Sequence, residues 1–269
     1  MPDGATLMHI ALVGLAPIAV LALLTWLASL VRHDASLVDR VWSALIAGPT
    51  LVYALQTGWT SVRAVCMLAL VLAWGVRLGA YITWRNWGHG EDRRYREIRE
   101  RNQPNFALKS LVFIFALQMV LAWIVSASTL AALAGTRPFG VLDVVGSGVA
   151  LVGFLFEAIG DAQMAAFKAD PANRGRVMDR GLWRWTRHPN YFGEAAFWWG
   201  IWLIALSAGG TSALWTLPSP LLMTVLLLKV SGVALLEKDM VERRPAYRDY
   251  VARTNAFIPG PPRGKKPSS

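Results

Sequence analysis

The chain has 269 residues, of which 55% are hydrophobic and only 16% charged, with a mean hydropathy of +0.40. That balance excludes an ordinary soluble globule and fits a polytopic membrane protein. The formal net charge of +10 falls mostly in short connections between apolar runs. It therefore reads as membrane orientation, not as nucleic-acid binding.

Seven apolar runs approach spanning length, at about 5–31, 38–57, 61–84, 108–134, 140–166, 191–208 and 213–236. Lipid cannot satisfy an open backbone, so the predicted fold is all-α: a polytopic membrane protein with seven transmembrane helices. Gly48-Pro49 interrupts the second run, and the sixth is short. The first is too long for a signal-peptide core and has no basic stretch before it, so it is expected to remain as a span. Arg32 and Arg40 flank the first connection; the connections at 85–109 and 168–190 and the tail are also basic, and the others are nearly bare. The positive-inside rule then puts the N-terminus outside and the C-terminus in the cytosol. Residues 1–259 are expected to form one domain. The Pro-, Gly- and Lys-rich residues 260–269 are expected to form a disordered tail.

Candidate polar residues follow in chain order. Asp39 begins the second span and reads equally as a helix N-terminal acid beside Arg40 or as a member of a site. Tyr53 and Gln56 lie further along, towards the far interface. Cys66 reads as a small apolar residue within the third span. Trp74, Arg77, Tyr81 and Arg85 are three or four apart, so they form one stripe. An arginine inside an apolar helix needs an anion or a wet cavity; snorkelling explains Arg85 better than Arg77, about two turns deeper.

The loop Trp87 to Tyr95 holds two acids, two arginines and a tyrosine. A solvated charged face is its default reading. Arg94 beside Tyr95 would also suit a nucleotide, guanidinium for phosphate and ring for base. Glu157 and Asp161 share a face near the end of the fifth span. Asn190 and Glu194 repeat the device at the start of the sixth, behind Pro189, which suits a first helical turn. Two such pairs near one membrane face call for a shared polar pocket. Tyr247 and Tyr250 share a face if their segment is helical, either as a lid or as a surface amphipathic helix. There is no Rossmann or P-loop motif, no convincing serine–histidine–acid order and no metal-ligand spacing, so no metal site is expected.

The run Asp161…Lys168…Arg174…Gly181-Leu182-Trp183…Arg187-His188-Pro189-Asn190-Tyr191-Phe192-Gly193-Glu194 resembles the steroid 5-alpha-reductase superfamily, in particular a bacterial-type branch grouped as a domain of unknown function. The resemblance implies NADPH at the cytosolic side and hydride transfer to a C=C bond conjugated to a carbonyl. It makes Asn190, Glu194 and Asp161 cofactor-binding. Lys168 stands where the reductases have arginine. Arg77 matches an arginine of the third span, and Arg85-Asn86 stand where a reversed asparagine–arginine pair is expected. Arg94, Tyr95, Arg174, His188, Tyr191 and Glu237 complete the expected cofactor set; Glu237 lies near the place of a family histidine. The family's glutamine–glutamate pair is absent from the second span, where Asp39 and Trp42 lie, and Trp74 stands where the family has a tyrosine.

The expectation is an NADPH-dependent reductase acting on a lipophilic enone, a 3-oxo-delta-4 steroid or related lipid, that enters from the bilayer. Asp39, if protonated, would hydrogen-bond the carbonyl oxygen, with Trp74 and Tyr53 as further catalytic candidates. The protein is expected as a monomer surrounded by membrane lipid, in a bacterial inner membrane rather than the endoplasmic reticulum. Two alternatives stand beside it. One is an isoprenylcysteine-type carboxyl methyltransferase using S-adenosylmethionine on the same RHPxY scaffold. The other is a non-enzymatic membrane scaffold or transporter.

Overall fold

A computed structural model describes residues 1–230 and 245–263. Among them every regular element is a helix, as lipid requires of a chain this apolar. Five helical segments are long and apolar enough to cross a membrane: Gly4–Arg32, Val62–Arg85, Phe106–Ala134, Val141–Ala169 and Pro189–Thr216. The protein is thus an all-helical membrane protein.

Two of the seven expected spans differ from the rest. The second is an α-helix, Leu37–Thr57, but is not apolar enough to count among the five. It runs through Pro49 without a break. Pro49 has no N–H for the Leu45 carbonyl, a loss that membrane helices tolerate; next to it the Thr50 hydroxyl donates to the Ile46 carbonyl at 3.2 Å. The seventh is described as a shorter apolar helix, Pro218–Lys229, and residues 231–236 of the expected span lie outside the described residues. The sixth is longer than its apolar run, because a 3-10 turn, Gly210–Thr216, continues the helix.

The chain divides into two compact units: Met1–Ser147 with Ile201–Ser219, and Gly148–Gly200 with Pro220–Ser269. In the first, α1 (Gly4–Val13) and α2 (Leu15–Arg32) meet at Gly14. A side chain at Gly14 would collide with the ring of Tyr53, so this position admits only glycine. Helix α3 (Leu37–Thr57) is the centre of the unit and packs on α1, α2, α4 (Val62–Arg85) and the helix over Leu117–Ala134. Gly75 and Gly79 of α4 face Ala47 and Ser43 of α3, the small-residue contact by which membrane helices approach closely. Hydroxyls bond across the same interfaces: Ser43 to the Gly75 carbonyl at 2.7 Å, Thr50 with Thr129 at 3.0 Å, Tyr53 with Ser126 at 3.2 Å. The core between them is apolar, with Ile18, Leu45, Ile46, Met67, Trp74 and Leu130 fully buried.

A short polar helix, α5 (Arg93–Arg101), carries the basic loop. Its Tyr95 enters an apolar cluster with Ala35, Val38, Phe106, Ile114 and Phe115, which anchors the loop.

The second unit is built on the close approach of two helices, over residues 148–169 and 189–200. A Cβ at Gly153 would strike the Phe197 backbone, and one at Gly193 would strike Glu157 and lie 2.6 Å from the Gly153 carbonyl oxygen. Glycine at both positions lets the backbones touch. The helix Pro245–Arg253 completes the unit.

Candidate functional site

In the second unit the two polar pairs read from the sequence come together. Asp161 and Asn190 sit on facing helices, and the Asn190 amide Nδ2 donates to Asp161 Oδ1 at 3.0 Å. The contact is set by Gly160, whose missing side chain leaves room for Pro189 and the Asn190 backbone. One turn away from Asp161, Glu157 lies where Gly193 lets the helices close. Glu157, Asp161 and Glu194 are buried. The Asn190 Oδ1 oxygen is also buried and accepts no hydrogen bond among the described residues. Buried polar atoms are almost always paired, so this oxygen suits a ligand donor. His188 is buried and stacks on Tyr191, ring centroids 5.5 Å apart and planes 2° apart. Lys168 and Arg174 are exposed.

The loop before Pro189 is held by the C-terminal helix. Arg187 Nη1 donates to the carbonyls of Val251 at 3.2 Å and Thr254 at 2.7 Å, and the Thr186 hydroxyl donates to Phe257 O at 2.8 Å. The Tyr250 hydroxyl donates to Trp183 O at 2.5 Å, while Trp183 Nε1 donates to Gly160 O at 2.9 Å. Tyr247 and Tyr250 do share a face of Pro245–Arg253; both are buried, with ring centroids 5.5 Å apart. That helix is therefore docked on the Trp183–Arg187 segment of its own unit. Gly260 and Arg263 are bonded too, Gly260 N to Trp185 O and Arg263 N to Arg253 O. Glu237 lies outside the described residues.

In the first unit the expected stripe on α4 is present. The guanidinium carbons of Arg77 and Arg85 lie 5.3 and 5.7 Å from the centroid of the Tyr81 ring, cation–π distances. Arg85 Nε also donates to Asn86 Oδ1 at 3.2 Å. Asp39 is not paired with Arg40, which lies 3.7 Å from Asp34. It accepts instead from the Tyr95 hydroxyl at 2.6 Å and from Arg94 Nη2 at 3.0 Å. Burial, followed by the charge of Asp39 beside it, pushes the Tyr95 phenol well above its ordinary value, so it stays a hydrogen-bond donor to that carboxylate.

The acids of the basic loop are used inside it. Against its burial, Glu91 is held below the ordinary carboxylate range by hydrogen bonds from Arg99 and the Ala35 amide. Asp92 is held down likewise, against partial burial, by the Arg94 backbone and guanidinium, and it caps α5. Much of the loop's charge is thus spent on its own folding.

Two of the catalytic candidates, Asp39 and Tyr53, do not meet. Tyr53 lies 14 residues along α3 from Asp39, roughly 21 Å at helical rise. It is fully buried between Gly14 and Ser126. Trp74 is fully buried in the helix core of the same unit.

Sequence reasoning missed one polar centre. Arg63 and Asp143 form a two-pronged buried ion pair, and Arg63 also donates to the carbonyls of Arg137 and Pro138 at 2.8 and 3.0 Å. Asp143 further accepts from Gly140 N at 2.9 Å and the Ser207 hydroxyl at 2.6 Å. The available signal was a lone charge at the start of each of two apolar helices.

A family profile described as "Protein of unknown function (DUF1295)" matches residues 25–254. The chain is similar to an uncharacterized protein of the fission yeast Schizosaccharomyces pombe, 28% identical over 278 residues, covering 92% of this chain and 79% of the relative. No solved structure matches the chain.

Proposed function

The chain belongs to the DUF1295 family of proteins of unknown function, and on that premise we propose that it is an NADPH-dependent membrane reductase acting on the C=C bond of a lipophilic enone. A 3-oxo-delta-4 steroid or related lipid entering from the bilayer is the proposed substrate class. A bacterial inner membrane is its proposed location, with seven spans, the N-terminus outside and the C-terminus cytosolic. The motif from Asp161 to Glu194 supports this reading through its resemblance to the steroid 5-alpha-reductases.

The single observation that carries it is the open acceptor Asn190 Oδ1, buried beside Asp161 at the meeting of two helices. A buried acceptor with its sister nitrogen already committed suits the N–H groups of a carboxamide. Asp161 fixes the amide's orientation by taking Nδ2. Glu194, one helical turn from Asn190, supplies a second acceptor for hydroxyl or amide groups. The Tyr191 ring, already stacked on His188, offers a flat surface. NADPH, when bound, supplies the hydride; the residues named here bind and orient.

Arg77 and Arg85 are assigned to phosphate by their charge and the resemblance. Arg94 and Tyr95 are reassigned from nucleotide ligands to holders of Asp39, because both already bond it. Accepting two such bonds, Asp39 acts as an anchor for α5. The substrate's carbonyl donor is consequently sought elsewhere than at Asp39 or the distant Tyr53.

The test is cofactor identity on the detergent-purified full chain, titrating NADPH, NADH and S-adenosylmethionine against thermal stability. A ligand of the folded state raises the melting temperature by linkage. A shift with NADPH supports the reductase. A shift with S-adenosylmethionine alone replaces it by the methyltransferase. No shift with any of the three removes both.

A further inference from the structure

The second unit holds a basic cavity that none of the cofactor candidates lines. Its volume is about 570 Å³, and its walls include Arg180, Arg184, Arg253 and Arg263 with Asp179 and Thr254. Four arginines and one aspartate therefore share its lining. That carboxylate is already taken, since Arg253 Nη2 lies 2.7 Å from Asp179 Oδ2. Arg263 is positioned by Asn255, to whose Oδ1 it donates at 3.2 Å. Arg180 and Arg184 make no hydrogen bond or ion pair among the described residues.

The cavity is a product of the fold. The 3-10 turn Gly181–Arg184 begins at a glycine with φ +56°, a left-handed conformation that glycine adopts freely. This turn brings Arg180 and Arg184 onto one wall. The opposite wall follows the C-terminal helix, where Arg263 N donates to Arg253 O at 2.8 Å and draws the two arginines together. Trp185, next in sequence to the lining residue Arg184, is exposed, as is Ile258 in the segment that follows Thr254; such apolar side chains rest at membrane interfaces.

We propose that this cavity binds a phosphate group, at a site separate from the proposed NADPH residues. Guanidinium forks match phosphate oxygens in geometry and charge, and an uncompensated set of them in a concave wall is otherwise self-repelling. The phosphate can be the headgroup of an anionic phospholipid or that of a soluble phosphate ester. The exposed Trp185 and Ile258 favour the headgroup, because a basic pocket at the interface is where anionic lipid is held.

The probe is the full chain and its double variant Arg180→Gln with Arg184→Gln. Both side chains are exposed and unpartnered, so the variant is expected to fold and melt as the parent does. Each protein is delipidated and re-exposed to phosphatidylglycerol or phosphatidylcholine, and retained lipid is read by native mass spectrometry. In parallel, pyrophosphate is titrated against thermal stability. Retention of phosphatidylglycerol over phosphatidylcholine that weakens roughly thirtyfold in the variant identifies a headgroup site. A melting shift with pyrophosphate that the variant loses identifies a soluble phosphate site. If neither anion distinguishes parent from variant, the proposal is overturned. NADPH titration of the same variant separates it from the reductase reading: equal loss of NADPH affinity would make the cavity part of the cofactor site and overturn its independence. Absence of NADPH binding to either protein would bear on the reductase reading alone.

Discussion

Arg63 and Asp143 are joined by two parallel bonds, Nε to Oδ1 at 2.7 Å and Nη2 to Oδ2 at 2.9 Å, and both side chains are nearly inaccessible to solvent. Eighty residues separate them in sequence. Two isolated charges at helix beginnings thus become a staple for the loop at Arg137–Pro138. Removing one partner strands the other, so Asp143→Ala should destabilise the fold by about 3–5 kcal/mol. Replacing both, with Arg63→Met and Asp143→Leu, should cost less than the sum of the single changes. Melting temperatures of the three variants in detergent decide the matter; strictly additive losses would show that the two residues act independently.

Gly193 belongs to the conspicuous HPNYFGE motif, yet its surroundings are those of a packing residue. A methyl group there would run into the Glu157 backbone and come 2.6 Å from Gly153 O, so the two helices would have to part. Gly193→Ala should cost about 1–3 kcal/mol by overpacking. Gly148, in the same helix as Glu157, has nothing within 4 Å of the position a Cβ would take. Gly148→Ala should be neutral or stabilising, by up to about 1 kcal/mol. Opposite signs in the two melting shifts are the expected result. Equal shifts would mean that helix propensity, not contact, governs both.

Spacing made much of this fold legible. Apolar runs located the helices, and the four-residue intervals Glu157–Asp161 and Asn190–Glu194 put the right side chains on facing surfaces. What spacing could not show was long-range partnership. Asp39 was set beside Arg40 because the two are adjacent, whereas the fold brings Arg94 and Tyr95 to it from 55 and 56 residues away. Pro49 reads locally as a break, yet the helix Leu37–Thr57 continues through it. Trp183 and Leu182 read as motif; the first donates to Gly160 O and the backbone of the second donates to Gln163 Oε1 at 3.0 Å, so both are braces between loop and helix.

Glu91 and Asp92 give the basic loop an acid sensitivity. Both carboxyls lie below their ordinary range in the folded protein, Glu91 despite burial through Arg99, Asp92 through the Arg94 amide. A group lowered on folding stabilises at neutral pH and loses that contribution as pH falls through its folded value. The loss therefore falls below about pH 4, where free carboxylates have already begun to protonate. Melting temperature against pH should be flatter for Glu91→Gln than for the parent in this window. Parallel curves would exclude Glu91 as a contributor.

Tyr95 titrates in the opposite range. Its phenol is raised by burial and by the Asp39 charge, so it should remain protonated near pH 10, where exposed tyrosines ionise. Tyr95→Phe should then remove no phenolate absorbance at that pH. It should, however, release Asp39 from its 2.6 Å bond and lower the melting temperature by about 1 kcal/mol in free-energy terms. Loss of one full tyrosinate signal in the variant would show that the phenol is free to ionise.

Asn190 separates ligand binding from folding most cleanly. Its Nδ2 is committed to Asp161 and its Oδ1 is buried without a donor, so the apo protein carries an acceptor whose desolvation is not repaid. Asn190→Leu deletes that acceptor along with the amide. Because the buried Asp161 Oδ1 then loses its donor, the apo melting temperature should fall whatever the role of Asn190. NADPH affinity should fall by about tenfold to a hundredfold, the range for a lost hydrogen bond in a buried site. A residue that served only to join the two helices would lower the apo melting temperature and leave NADPH affinity intact. Both quantities come from one titration of parent and variant, and the change in NADPH affinity is what distinguishes an acceptor built for a ligand from a strut between helices.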